Sequence, residues 1–161
     1  LQYFDPETNE NYVPYVVETS LGCDRMFLAM MGTALQEETV PDADGKDSTR
    51  VLLKLPYPIA PVKCAVMPLL KNKEALTTKA REVLDTLKLE FNCQYDEKDA
   101  IGRRYRRQDA IGTPFCVTID FETLEDNEVT IRDRDTMEQE RVGIDKVAGI
   151  IAGKVAMKSL F

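Results

Sequence analysis

The amino-acid sequence predicts an α/β fold in which helices flank a mixed five-stranded sheet, preceded by a separate strand and helix. Two observations lead to this fold class. From residue 61 onward, apolar residues recur with the spacing of strands and of amphipathic helices in turn, ending in neighbouring strands and a last helix. The 161 residues are 43% hydrophobic and 30% charged, a composition typical of a globular protein with one main core.

The first 60 residues are predicted to lie outside this sheet. Residues 12–17 are aromatic and β-branched, which predicts a strand, and residues 26–35 are apolar and predict a helix. Residues 36–50 are polar and acidic and contain a proline and a glycine, which predicts a linker or exposed loop. A short strand over 50–55 follows, and three closely spaced prolines then keep the chain extended.

The segments that follow are each identified by their period. Val62, Cys64 and Val66 recur every second residue, as in a buried strand, whereas Leu76 begins a series of apolar residues at helical spacing. Glycine at position 112 is expected to end the second helix. The predicted strands lie at 62–66, 89–95, 114–120, 129–134 and 139–142, and the predicted helices at 74–88, from Asp99 to Gly112, and from Asp145 onward, with Asp99 and Asp145 as caps.

The net charge of −7 is unevenly distributed. Only four of the 21 Lys and Arg residues lie in residues 1–60, together with ten of the 28 Asp and Glu residues. The remainder of the chain is therefore almost neutral, and residues 103–107 contain four arginines. An acidic balance alone argues against nucleic-acid binding, but this local cluster is compatible with it.

The cysteines and the absence of histidine exclude several kinds of site. No two of Cys23, Cys64, Cys93 and Cys116 are close enough in sequence to form a zinc-binding pair, and Ser-His-Asp or Cys-His catalysis needs a histidine. We expect buried, reduced thiols, no metal site and a cytoplasmic protein. No apolar run has the ~20 residues of a membrane span, and no secretory signal is visible.

One distinctive stretch runs from Glu18 to Arg25, where a glycine turn and an arginine precede an apolar helix. A glycine lets the backbone approach a nucleotide closely, and an arginine at a helix start can bind phosphate. A carboxylate at Glu18 could hold an ammonium group, with Ser20 beside it. The stretch resembles motif 3 of class II aminoacyl-tRNA synthetases. Taken alone, it also fits a helix-start arginine paired with Asp24 or Glu18.

A second stretch covers residues 91–115 and is joined by 129–141. Together they closely resemble the C-terminal anticodon-binding domain of the dimeric class II glycyl-tRNA synthetases. Residues 1–5 and 12–20 support this resemblance, which covers nearly the whole chain and is weakest over the linker. It implies a remnant of the catalytic domain at 1–35, a linker at 36–58 and an anticodon-binding domain at 59–161.

The resemblance also implies a function. The full-length enzyme would be a homodimeric glycine–tRNA ligase that converts ATP, glycine and its cognate tRNA to glycyl-tRNA, AMP and diphosphate, with Mg²⁺ bound alongside the ATP. This chain starts at Leu1 and lacks motifs 1 and 2, so we expect a fragment that binds no cofactor and has no complete catalytic site. Its partner would be glycine tRNA, with no DNA and no membrane.

The resemblance assigns the site residues by position. Glycine binding would fall to Glu18, Thr19, Ser20, Leu21 and Gly22, and ATP binding to Gly22, Cys23, Asp24 and Arg25. Anticodon or tRNA binding would fall to Arg103, Arg104, Arg107, Arg132 and Arg134.

Other interpretations remain at this point. The arginines of residues 103–107 could form a solvated helix face balanced by nearby carboxylates, and Arg132 and Arg134 could pair across strands. The chain could instead be a free-standing α/β interaction module that regulates another protein. A small nucleotide- or redox-binding protein is disfavoured, since the sequence has neither a glycine-rich phosphate loop nor a C-x-x-C motif.

Overall fold

A computed structural model of the chain describes residues 1–41, 45 and 47–160. The helices are α1 (Cys23–Ala34), α2 (Glu74–Leu87), α3 (Ile101–Ile111), α4 (Thr123–Asp126) and α5 (Ile144–Val155), with short 3₁₀ turns at Tyr57–Ile59 and Met157–Leu160. The strands are β1 (Tyr3–Asp5), β2 (Glu10–Tyr12), β3 (Leu35–Pro41), β4 (Asp47–Leu53), β5 (Cys64–Pro68), β6 (Cys93–Tyr95), β7 (Phe115–Ile119), β8 (Glu128–Asp133) and β9 (Gln139–Gly143).

The predicted mixed five-stranded sheet is confirmed, with its strands in the order β6-β5-β7-β8-β9. Strands β6, β5 and β7 are parallel, and β7, β8 and β9 are antiparallel. Parallel neighbours need a crossover connection, which α2 and α3 provide, whereas β8 and β9 are joined by a tight turn. The parallel and antiparallel halves of the sheet therefore follow from the lengths of the segments that connect their strands.

The main core lies on the face of the sheet covered by α2 and α5. Leu76, Ala80 and Leu84 of α2 are buried there, at the helical spacing that predicted them. Val147 and Ile151 of α5 are fully buried against the same face.

The other face carries a smaller apolar cluster, in which Ala65, Met67 and Cys116 pack against Ile101 and Tyr105. Helix α3 therefore packs on this face of the sheet and also contacts strand β4. The two faces are consequently built from different helices.

The prediction of a loop over residues 36–50 was wrong. Strands β3 and β4 form an antiparallel hairpin, paired from Leu35 with Leu53 to Pro41 with Asp47. Residues 42–44 and 46 of the predicted loop lie outside the described residues. The strand predicted at 50–55 is the second half of β4. The polar composition hid the hairpin because its outward side chains are polar, while Leu52 and Leu53 are buried.

The N-terminal segment also differs from the prediction. The strand expected at 12–17 is absent, and instead β1 and β2 form a small hairpin. Residues 13–22 have no regular structure, and Tyr15 and Val17 are fully exposed. A strand needs a partner for its backbone hydrogen bonds, and no described strand pairs with these residues. The predicted helix is confirmed, although α1 begins three residues earlier than expected.

Two smaller corrections concern element ends. Strand β6 begins at Cys93 rather than at residue 89, because the end of α2 continues in turns in which the Phe91 amide donates to Leu87. Asp99 and Asp145 do not cap their helices through their side chains, and the residues before α3 and α5 are Ala100 and Gly143. Gly112 ends α3 as predicted.

A buried charge network joins the β3–β4 hairpin to the sheet. Asp109 of α3 is completely buried and accepts hydrogen bonds from Nε of Arg50 at 2.9 Å and from both terminal nitrogens of Arg132 at 2.9 and 3.1 Å. Arg50 lies on β4 and also binds Glu38 of β3 at 3.1 Å. One carboxylate therefore links two buried arginines from different sheets.

Arg134 makes a second connection to the hairpin. It is 1% exposed and donates to the carbonyl oxygens of Leu53, Leu55 and Gly112 at 2.7–3.1 Å. Its Nε contacts Asp135 at 2.7 Å, and its own carbonyl accepts from Arg50. The guanidinium thus ties the end of the hairpin, the segment after it and the end of α3 together through three backbone carbonyls.

We predict that Asp109→Ala lowers the free energy of unfolding by about 3–5 kcal/mol, because it leaves two buried arginines without their carboxylate. Urea unfolding of the chain measures this change. The matched control is Asp85→Ala, which removes an exposed carboxylate 3.6 Å from Lys88 on α2 and should leave the midpoint almost unchanged. Equal midpoints for the two variants would contradict the structural role of the network.

We predict that Gly112→Ala is destabilising by more than about 1 kcal/mol. Gly112 has a φ of +83°, and an added Cβ would lie 2.9 Å from the carbonyl oxygen of Leu53. Gly102→Ala, in α3 with no atom near its Cβ position, is the control and should stabilise the chain by about 0.5–1 kcal/mol. The midpoint temperature of thermal unfolding should therefore fall for Gly112→Ala and rise for Gly102→Ala.

Candidate nucleic-acid interface

The five arginines predicted to bind tRNA lie in different environments in the structure. Arg104 is buried and points at the end of β5, where it donates to the carbonyls of Pro68 and Leu69. Its Nε donates to the carbonyl of Asp99 at 3.1 Å. The expectation that Arg104 presents its charge to RNA is corrected here, because its donors already serve the backbone.

Arg134 requires the same correction. Its guanidinium is enclosed by the backbone of the hairpin and by the end of α3, as described above. Arg132 is also buried, and its two terminal nitrogens are held by Asp109. Burial alone would lower the pKa of Arg132, but the hydrogen bonds that it donates to Asp109 raise this pKa. Its positive charge is therefore fixed in place.

Arg107 is partly exposed and forms a local ion-pair cluster. Its Nε and one terminal nitrogen contact the carboxylate of Asp96 at 2.9 and 3.1 Å, and the other contacts Asp99 at 3.3 Å. Hydrogen bonding to Asp96 raises the pKa of Arg107. This residue matches the alternative interpretation of a solvated, charge-balanced helix face.

Arg103 and Arg106 lie one helical turn apart on α3 and open onto a cavity of about 680 Å³. We call this cavity the basic pocket. It lies between α3, the end of the β3–β4 hairpin and the turn that joins β8 to β9. Its lining comprises Pro41, Ser48, Ala100, Gly102, Arg103, Tyr105, Arg106, Arg132, Met137 and Gln139. Of the five arginines predicted for tRNA binding, the structure brings Arg103 and Arg132 together here.

An aromatic ring and a cation form the floor of the basic pocket. The guanidinium carbon of Arg132 lies 4.9 Å from the ring centre of Tyr105, within cation–π range. The Tyr105 hydroxyl shares a hydrogen bond of 2.7 Å with Thr118 of β7, and burial raises the pKa of Tyr105. The stacked pair is therefore neutral at the ring, positive at the guanidinium and fixed at both ends.

Arg106 has an unused donor at this pocket. Its Nη1 is buried and has no hydrogen-bond partner among the described residues. A buried donor without an acceptor is costly, and a bound anion or carbonyl oxygen would remove that cost. The pocket can thus accept a ligand that carries oxygen acceptors and a flat, stackable face.

Some residues that line the basic pocket were not among the residues predicted from the sequence to bind tRNA. Arg106 was the arginine of the cluster omitted from it, although its spacing of three from Arg103 places the two on one helix face. The sequence did not indicate Ser48 and Gln139 as site residues. The β3–β4 hairpin and the β8–β9 turn bring them to the pocket from distant parts of the chain.

The predicted glycine and ATP residues lie at the N-terminal end of α1. Glu18, Ser20 and Arg25 are exposed, and their side chains make no hydrogen bond or ion pair within the described part of the chain. Thr19, Leu21, Cys23 and Asp24 are exposed as well. Gly22 precedes the first turn of α1, which has no side-chain cap. The structure therefore leaves these residues exposed around the start of α1.

Residues 1–41, 45 and 47–160 contain neither a metal-binding cluster nor a membrane-spanning helix. No group of three or more Asp, Glu or Cys side chains is arranged to hold a metal ion. No helix is both long enough and apolar enough to cross a membrane.

Comparison with known proteins connects this geometry to a family. Residues 63–154 match the family model described as "Anticodon binding domain". The glycine–tRNA ligase of Thermobifida fusca is 52% identical over 97% of this chain and 34% of its own length. That of Clostridium perfringens is 54% identical over 94% and 32%. The chain thus spans about a third of the length of these relatives.

Solved structures show the same fold at low sequence identity. A prolyl-tRNA synthetase from Cryptosporidium parvum superimposes with a TM-score of 0.58 at 21% identity, over 65% of this chain and 22% of that one. The RNA-binding domain of a threonyl-tRNA synthetase from the same organism gives 0.57 at 23%, over 63% and 25%. With the family model covering more than half of its residues, the chain belongs to the family of anticodon-binding domains.

Proposed function

We propose that this chain binds the anticodon loop of glycine tRNA as part of a glycine–tRNA ligase, and that the basic pocket receives a base of that loop. The observation that carries the proposal is the buried Nη1 of Arg106, which has no partner among residues 1–41, 45 and 47–160, beside Arg103 and the Tyr105–Arg132 stack. The family match and the glycine–tRNA ligases at about 50% identity support the choice of RNA.

The chemistry of the pocket suits a single-stranded base. Proteins read splayed loop bases by stacking them on aromatic or guanidinium planes and by hydrogen-bonding their edges. Tyr105 with Arg132 offers such a plane, and Arg106 offers the unused donor. Gln139 can both donate and accept at a base edge.

Arg103 is the exposed charge at the mouth of the pocket and suits a phosphate. The exposed guanidinium of Arg103 contrasts with that of Arg132, which is buried and held by Asp109. Arg107 contributes less in this proposal, because Asp96 and Asp99 already neutralise it. The negative charge concentrated in residues 1–60 repels RNA from that part of the surface and so favours one orientation.

For the N-terminal segment we propose roles within the full-length ligase. Gly22 leaves open space at the start of α1, since an added Cβ would meet only Arg25, at 3.7 Å. The first turn of α1 with Arg25 fits a triphosphate, and Glu18 with Ser20 fits an amino group. ATP would supply the anhydride that activates glycine, with Mg²⁺ held on its phosphates. The ligase would act in the cytoplasm as a homodimer.

The alternative of a free-standing regulatory module is not favoured. The relatives match this chain from its N-terminal segment to its end, at 94–97% coverage, rather than over the sheet alone. A module without catalysis would have no use for the stretch from Glu18 to Arg25.

We predict that Arg103→Ala and Arg106→Ala each weaken binding of an RNA hairpin with the glycine anticodon loop about five- to one-hundredfold. Arg81→Ala on α2, which removes the same charge from the opposite side of the sheet, is the control and should bind as the unchanged chain does. Fluorescence anisotropy with labelled hairpins gives the affinities. Unchanged binding by both pocket variants would remove the pocket from the interface.

We predict different specificity changes at the two arginines. Arg106→Ala should reduce the preference for the glycine anticodon over a hairpin with replaced anticodon bases, because it loses a base-edge donor. Arg103→Ala should weaken both hairpins alike and reduce the slope of log K against log salt by about 0.7, the value for one phosphate contact on a single strand. The same titrations would contradict these roles if Arg103→Ala changed the anticodon preference and Arg106→Ala weakened both hairpins alike.

A further inference from the structure

Two cysteine sulfurs lie almost in contact on the sheet. Cys64 of β5 and Cys93 of β6 are paired directly in the parallel register, and their Sγ atoms are 3.2 Å apart. Directly paired residues point to the same face, and neighbouring strands are about 4.8 Å apart, which lies within the Cα separation of a disulfide. The two sulfurs would have to approach by roughly 1 Å to reach the S–S bond length of about 2.05 Å.

The two thiols have different surroundings. Cys64 is fully buried on the second strand of the sheet, whereas Cys93 is half-buried on the edge strand. The hydrogen bond between them lowers the pKa of Cys93 and raises that of Cys64, and the charge of Lys88 lowers the pKa of Cys93 further. The more accessible sulfur is therefore also the one that ionises more easily, as a reacting thiol requires.

We propose that Cys64 and Cys93 form a reversible intramolecular disulfide when the chain meets hydrogen peroxide. The Cys93 thiolate attacks a peroxide oxygen, the O–O bond breaks, and the released hydroxide takes up a proton to leave water. The sulfur of Cys64 then attacks the resulting Cys93 sulfenic acid, and the S–S bond forms as the hydroxyl leaves with the Cys64 proton as a second water. The two thiols supply both electrons, and an external dithiol reverses the reaction.

The remaining cysteines do not complete a different site. Cys116 follows Phe115, the β7 partner of Cys64, and its side chain therefore points to the opposite face, against Ala65 and Met67. Cys23 lies exposed on α1, outside the sheet. The thiols on the α2 face are thus a pair, which favours a disulfide over a metal site.

The disulfide would fix the edge strand without touching the basic pocket. Strand β6 has only three residues and one neighbour, so it is the least secured strand of the sheet. The sulfurs lie on the face covered by α2, whereas the basic pocket lies beside α3 on the other face. RNA affinity should therefore be equal in the oxidised and reduced chains, and this proposal is tested independently of the proposed function.

The test is treatment of the folded chain with hydrogen peroxide in a Cys23→Ser background, which prevents links between molecules. After alkylation of the remaining thiols, mass spectrometry of proteolytic peptides should show residues 64 and 93 linked, with a loss of about two hydrogens. Dithiothreitol should restore both thiols. The reaction should be at least about tenfold faster in the folded chain than in urea, because folding holds the sulfurs together.

Cys93→Ser and Cys64→Ala should each abolish the link, whereas Cys116→Ser in the same background should retain it. Amide hydrogen exchange in β6 should slow on oxidation of the Cys23→Ser chain, which gives a readout that needs no further variant. The proposal is overturned if Cys93 gains oxygen atoms while Cys64 stays free, if Cys116 is the linked partner, or if folding gives no rate advantage.

Discussion

The carboxylate of Asp109 is the point on which the arrangement of this domain depends. It lies on α3 and receives one arginine from the hairpin and another from β8, all within a region that water does not reach. A buried ion pair gains little over an apolar contact of the same volume, but removal of one partner is strongly unfavourable. The network therefore contributes specificity of position more than stability, and it fixes where α3 lies relative to the sheet and the hairpin.

That position determines which side chains face solvent. With Asp109, Arg104 and Gln108 buried on one side of α3, the turn spacing leaves Arg103 exposed and Arg106 at the wall of the basic pocket. Arg132 gains a fixed orientation from Asp109 and so becomes a flat surface against Tyr105. Arg132 is thus held rigidly in the basic pocket, because the carboxylate behind it is buried and paired.

The sequence predicted the sheet and its helices well, because burial on one face imposes a period that residues such as Leu76, Ala80 and Leu84 display directly. The β3–β4 hairpin was missed because it buries few side chains, and its order comes from Arg50 and from partners 59 and 84 residues away. The presence of a charged residue in the sequence does not show which distant residues it will contact in the fold. Arg103 and Arg104 are neighbours in sequence, yet about 100° of helix rotation makes one exposed and the other buried.

The contacts of the β3–β4 hairpin bear on where the folded unit that contains the five-stranded sheet begins. The family model starts at residue 63, and the resemblance placed the domain start at 59, but Arg134 takes its acceptors from Leu53 and Leu55. A chain cut at either position would keep every strand of the sheet, but it would lose Arg50, a partner of Asp109, and the Leu53 and Leu55 carbonyls that accept from Arg134. The buried charges therefore place the start of this unit no later than the β3–β4 hairpin, which begins at Leu35.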